Sequence, residues 1–172
     1  MKKYLLFSLL VLSVNLQASK VVSSDKGFFD KILIKKEVSE KIQGRFDSQN
    51  DIAVVSDESV DDIRSKEDAL NGLKKQISSY AKSVLVGYLK KANLVGEGFN
   101  EYKMAEFSDE LATRMIQENR YDIEGVWEDR NTGKYYTLVK VNKKNIDEKC
   151  RKIFKNRLEK VIQVLNDLKE GL

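Results

Sequence analysis

Histidine and proline are both absent from the 172 residues, and cysteine occurs once, at Cys150. Without imidazole there is no His-based nucleophile pair and no His-ligated metal. A single thiol excludes an internal disulfide, a four-cysteine zinc site and an iron–sulfur cluster held within the chain. Average usage of about 5% would supply several prolines, so their absence removes polyproline linkers and proline-kinked helices. A strong charge of one sign is also missing. Thirty-one Lys/Arg stand against 27 Asp/Glu, a net +4, with 41% hydrophobic and 34% charged residues. That is the balance of a globular domain, too weakly basic to predict binding to nucleic acid.

Long apolar runs are scarce. The first eighteen residues read as a secretory signal: Lys2 and Lys3 form the positive start, residues 5–14 the apolar core, and Ala18 precedes the cleavage point before Ser19. The core is about half of the roughly 20 residues that span a bilayer as a helix, and the alternative is retention as an anchor. Ser19 stands where a lipoprotein would need cysteine, so no direct lipid anchor is expected. Loss of Lys2 and Lys3 leaves 29 Lys/Arg against 27 Asp/Glu, a net +2. In an exported chain Cys150 reads first as a small buried apolar residue, with an intermolecular disulfide as the alternative.

The chain divides into the signal at 1–18, an N-terminal extension of unassigned structure at 19–50, and a single α+β domain at 51–172. Residues 44–51 are a polar, turn-rich break, and residues 52–55 (Ile-Ala-Val-Val) predict a short strand. Ser59 with Asp62 has capping-box spacing. Beyond it Ile63, Leu70, Leu73, Ile77, Tyr80, Val84, Leu85, Tyr88 and Leu89 recur at helical intervals to about Ala92. Gly96 and Gly98 break this helix. A second, over about 100–119, gathers Met104, Phe107, Leu111 and Met115. Residues 121–128 and 135–141 alternate in part and flank a loop ending at Gly133, which predicts an antiparallel hairpin. A last helix from near Asn145, with Glu148 as capping partner, carries Ile146, Cys150, Ile153, Phe154, Leu158, Val161, Ile162, Leu165 and Leu168. The order predicts an α+β fold: a small antiparallel sheet with a central hairpin, packed against two or three helices, the C-terminal one long.

Candidate chemistry is thin. No Gly-x-Ser-x-Gly occurs after the signal, and the carboxylate groups Glu106/Asp109/Glu110 and Glu124/Glu128/Asp129 read as solvated faces. Asp57 to Asp68 matches a calcium loop in part, but Asp62 holds the place that demands glycine. Gly96-Glu97-Gly98 lacks the third glycine of a dinucleotide loop, and Gly133-Lys134 lies in a turn. We therefore expect no catalytic residues, no cofactor and no metal. What remains is surface: Trp127, Tyr135 and Tyr136 either cover the helices beneath the hairpin or form an interface. The basic flank of the last helix reads as a solvated face, or as one that adheres to an acidic surface.

The run Tyr121-Asp-Ile-Glu-Gly125-Val-Trp127-Glu-Asp129-Arg-Asn-Thr-Gly133-Lys-Tyr-Tyr136-Thr-Leu-Val139-Lys-Val141, reached through a long Ala/Lys-containing helix, resembles the bacterial twenty-kilodalton outer-membrane lipoprotein antigen family. The resemblance spans about residues 52–165. It implies a small α+β domain without catalytic residues, an envelope location and self-assembly into rings or dimers; relatives include a flagellar basal-disk protein. The missing lipid-anchor cysteine is a departure from that pattern, as is the lack of a clear Gly-rich strand before the long helix. The expectation is a non-enzymatic periplasmic or envelope protein, a structural or assembly component linked to the flagellar motor or outer envelope. Its partners would be envelope proteins, flagellar motor components among them, and further copies of itself. A soluble periplasmic binding module that modulates another envelope protein is the alternative, and a secreted effector the third reading.

Overall fold

The computed structural model describes residues 20–21, 41–94, 96 and 99–170. The signal at 1–18, with Ala18 at its end, and Ser19 after it lie outside them. The elements are β1 (Lys20–Val21), β2 (Asp51–Val55), α1 (Asp62–Ala92), α2 (Glu101–Gln117), β3 (Asp122–Asp129), β4 (Lys134–Asn142) and α3 (Lys143–Glu170). The antiparallel sheet has the order β1-β2-β4-β3. The protein is α+β, with the three helices on one face of the sheet and α3 long.

Every fourth residue of α1 from Ser65 to Leu89 is buried: Ser65, Ala69, Leu73, Ile77, Ala81, Leu85 and Leu89. An i+4 row forms a ridge inclined to the helix axis. This one packs with Ile52 and Val54 of β2 and Val139 and Val141 of β4 in a single core. Fully burying each large aliphatic side chain contributes about 1.5–3 kcal/mol. Small residues start the row, where Ser65, Ser56 and Thr137 tie helix and sheet together. Ser65 Oγ lies 2.6 Å from Thr137 Oγ1 and 3.1 Å from Ser56 Oγ, and Thr137 N–H donates to Ser56 Oγ at 2.9 Å. Ile63, expected on the stripe, is 65% exposed. It stands two residues, about 200°, from the row.

The caps also correct the expected boundaries. Asp61, not Ser59, caps α1, accepting from Arg64 N–H at 2.7 Å. Ser59 instead pairs through its backbone with Tyr135. At the other end Asn93, at φ 51°, takes the left-handed position, so α1 stops before the glycines. α3 starts at Lys143 and not near Asn145, because the Asn142 carboxamide oxygen accepts from Lys144 N–H at 3.0 Å. Its apolar side stays on the core only through Val161.

The hairpin forms as expected, with Gly133 at φ 61° closing the turn. A register shift between Ile123 and Gly125 kinks β3. The opposite face of the sheet holds a second, smaller core of Ala53, Val55, Tyr136 and Leu138, closed by Ile42 with Phe46 and Trp127 at its margin. Residues 41–50, which carry no periodic signal, thus cover part of the face that the helices leave open.

Truncating the row should be costly and truncating the distal end of α3 should not. Leu73→Ala is expected to lose about 2–5 kcal/mol, against less than about 0.5 kcal/mol for Leu168→Ala in the monomer. Urea unfolding of the two variants, side by side, checks the contrast.

Candidate functional site

The three aromatic residues of the hairpin do not form one patch. Successive strand residues point to opposite faces, so Tyr135 and Tyr136 separate. Tyr136 is 6% exposed in the second core, opposite Trp127 in the register. Trp127 is half-buried on that same face, away from the helices. A Cβ on Gly125 would come within 2.6 Å of the indole, which is why glycine sits there. The Arg45 guanidinium stacks over the indole at 5.2 Å and donates to Glu124 O at 2.7 Å. Lys140 joins the cluster, 2.7 Å from the Glu124 carboxylate and donating to Arg45 O at 3.0 Å. The hydrogen bond it donates to the Glu124 carboxylate holds the Lys140 ammonium above its ordinary pKa. Trp127 is therefore engaged as a clamp for residues 41–46. Tyr135 lies by the start of α1, where the charge of Glu128, backed by Asp62 and Asp61, pushes its phenol upward in pKa.

The carboxylate groups are occupied locally. Glu106 pairs with Lys103 at 2.6 Å and Glu110 with Arg114 at 2.6 Å, while Asp109 accepts from Ser78. The hydrogen bond from Lys103 lowers the Glu106 pKa. The side chain of Asp129 shapes the hairpin turn by accepting from Asn131 N–H at 2.9 Å. Within the calcium-like spacing Asp61 caps α1, Asp62 pairs with Lys66, and Asp68 accepts from Asp57 N–H at 2.7 Å. Desolvation, with the nearby Asp57 charge, raises the Asp68 pKa. Among the described residues no group of three or more potential ligands is placed to hold a metal.

Cys150 is 0% exposed under α1, its thiol pointing at Ala81 O, 3.9 Å away. Burial, with Asp147 nearby, pushes its pKa up to about 12. An intermolecular disulfide at Cys150 is therefore closed to the folded chain, since its sulfur cannot reach another molecule.

The surface that stands out is on α3. Ile162, Val164, Leu165 and Leu168 are 49–62% exposed. Residues 162–170 run past the core for roughly 13 Å at 1.5 Å per residue. The periodicity places Ile162, Leu165 and Leu168 on the apolar side of the helix, and this end of that side faces solvent. Beside the stripe, α2 and α3 part to leave cavities of about 210 and 190 Å³. A signal for this groove was present in the basic flank of the last helix. No described helix is long and apolar enough to cross a membrane. Comparison of the chain with family models, with curated proteins and with solved structures finds no match.

The native thiol should resist aromatic disulfide reagents at pH 8 and react only as the chain unfolds. The sign of its pH effect follows from the raised pKa. The folded chain holds the proton more tightly than the unfolded one, so the stabilisation is complete below about pH 9 and is lost as pH rises towards about 12. The urea midpoint of the wild type should fall more steeply across pH 9–12 than that of Cys150→Ala.

Proposed function

We propose that the chain is a non-enzymatic, exported protein of the cell envelope, a structural or assembly component linked to the flagellar motor or outer envelope and working through protein contacts. The observation that carries this reading is the apolar end of α3. Leu158, Val161, Leu165 and Leu168 are spaced three, four and three residues apart, the interval of a helix–helix seam. The first two pack on the core and the last two face solvent. A contiguous apolar strip outside a core marks a site of association. A second copy of the chain, presenting the same strip, is the occupant that the seam spacing suits. The signal-like residues 1–18 support export, and the resemblance of residues 121–141 to the lipoprotein antigen family supports the envelope setting. Serine at 19 favours retention by protein contacts over a lipid anchor.

The soluble periplasmic binding module is the second reading, and the groove between α2 and α3 favours it. The readings separate in solution. By light scattering, the protein purified as exported should be oligomeric at tens of micromolar, and Leu165→Glu with Leu168→Glu should make it monomeric with helical content retained. A monomeric wild type would contradict assembly through α3. In cells, the tagged protein should co-purify with flagellar basal bodies or the outer membrane. Recovery as a small soluble species, together with normal swimming of a deletion strain, would remove the motor link.

A further inference from the structure

The two cavities between α2 and α3 are one groove repeated at a helical turn. Along α2 the first spans Phe107 to Arg114 and the second Leu111 to Glu118; along α3 the first spans Ile153 to Lys160 and the second Lys149 to Asn156. The offset is four residues on both helices, or about 6 Å at 1.5 Å per residue, and Leu111, Arg114, Ile153 and Asn156 belong to both cavities. Side chains at i and i+4 of a helix stand about 5–6 Å apart, so two such residues of a docked helix would each meet one cavity. Volumes of about 210 and 190 Å³ suit individual side chains.

The rim selects the charge of the occupant. Arg114, Lys149, Lys152, Arg157 and Lys160 face the groove against two acids, Glu110 and Glu118. Both acids are engaged, Glu110 with Arg114 at 2.6 Å and Glu118 with Lys149 at 3.7 Å. Among the described residues Lys152, Arg157 and Lys160 have no acidic partner within 4.0 Å. The Arg157 guanidinium sits over the Phe107 ring at 5.9 Å, and its buried Nε has no hydrogen-bond acceptor. A buried donor left unsatisfied costs about 1–3 kcal/mol.

We propose that this groove docks an acidic amphipathic helix of a partner protein, with two apolar residues four apart in the cavities and flanking Asp or Glu on Lys152, Arg157 and Lys160. The inference rests on reading the chain as a protein-binding component, and names the chemistry of one partner. A lipid surface would favour cations around an exposed convex face, whereas these line a walled groove between two helices.

The probe is a labelled synthetic helix with two leucines four residues apart among glutamates, titrated by anisotropy into the protein purified as exported. Binding should weaken at least tenfold when the leucines become serine, when the glutamates become lysine, or when the protein carries Lys152→Glu with Lys160→Glu. Both lysines are exposed, so the fold should survive, which circular dichroism checks. Equal binding of acidic and basic peptides, no binding at all, or indifference to the lysine reversals would overturn the proposal. So would tight binding to phosphatidylglycerol vesicles that the acidic peptide fails to compete. Loss of peptide binding with self-assembly intact sinks the groove alone. A monomer that still binds the peptide sinks assembly through α3 alone.

Discussion

The i+4 row of α1, from Ser65 to Leu89, is the contact on which the other elements depend. It fixes where the helix crosses the sheet, since its aliphatic residues meet Ile52 and Val54 from one strand and Val139 and Val141 from the next. It also sets how closely they approach, because Ser65 and Ala69 bring the first turns down near Thr137. With α1 in place, α2 and α3 have one apolar bed between them. Phe154 anchors α3 there against Tyr88 and Phe99, with ring centroids 5.5 and 5.7 Å apart. Cys150 is sealed under α1 by the same packing.

Two consequences follow for function. α3 has 28 residues, and its support ends near Val161, so the apolar stripe continues into solvent. α2 and α3 rest on α1 more than on each other, which leaves the groove between them with a cationic rim. Both features are the surfaces we propose for other chains. They lie away from the hairpin, whose indole is already held by Arg45 and whose carboxylates are held locally. The account is thus of an α+β body that presents helix faces, with Cys150 buried and the candidate carboxylates Glu106, Asp109 and Glu110 engaged locally.

Much of this fold was legible in the sequence. The α1 periodicity, the hairpin with its Gly133 turn and the 52–55 strand depend on local spacing, and they lie where that spacing put them. What was not legible depends on distant partners. Ser59 and Asp61 are both competent caps, and the choice falls to Asp61 because the Ser59 backbone pairs with Tyr135, far along the chain. Ile42 and Phe46 find the second face of the sheet only once the sheet exists. The separation of Tyr135 from Tyr136 was within reach, since neighbours in a strand face opposite ways. The groove was half-visible: the cations were counted, but a solvated face and a groove rim have the same sequence.

Hydrogen exchange, followed by mass spectrometry as a function of protein concentration, tests the central claim most directly. The account predicts that amides of residues 65–89 and 134–142 exchange slowly at every concentration, opening only with the whole fold. Residues 162–170 should exchange fast in dilute protein and slow down as concentration rises and the α3 stripe is covered. Fast exchange at 162–170 at all concentrations, or early exchange across the α1 row, would contradict it.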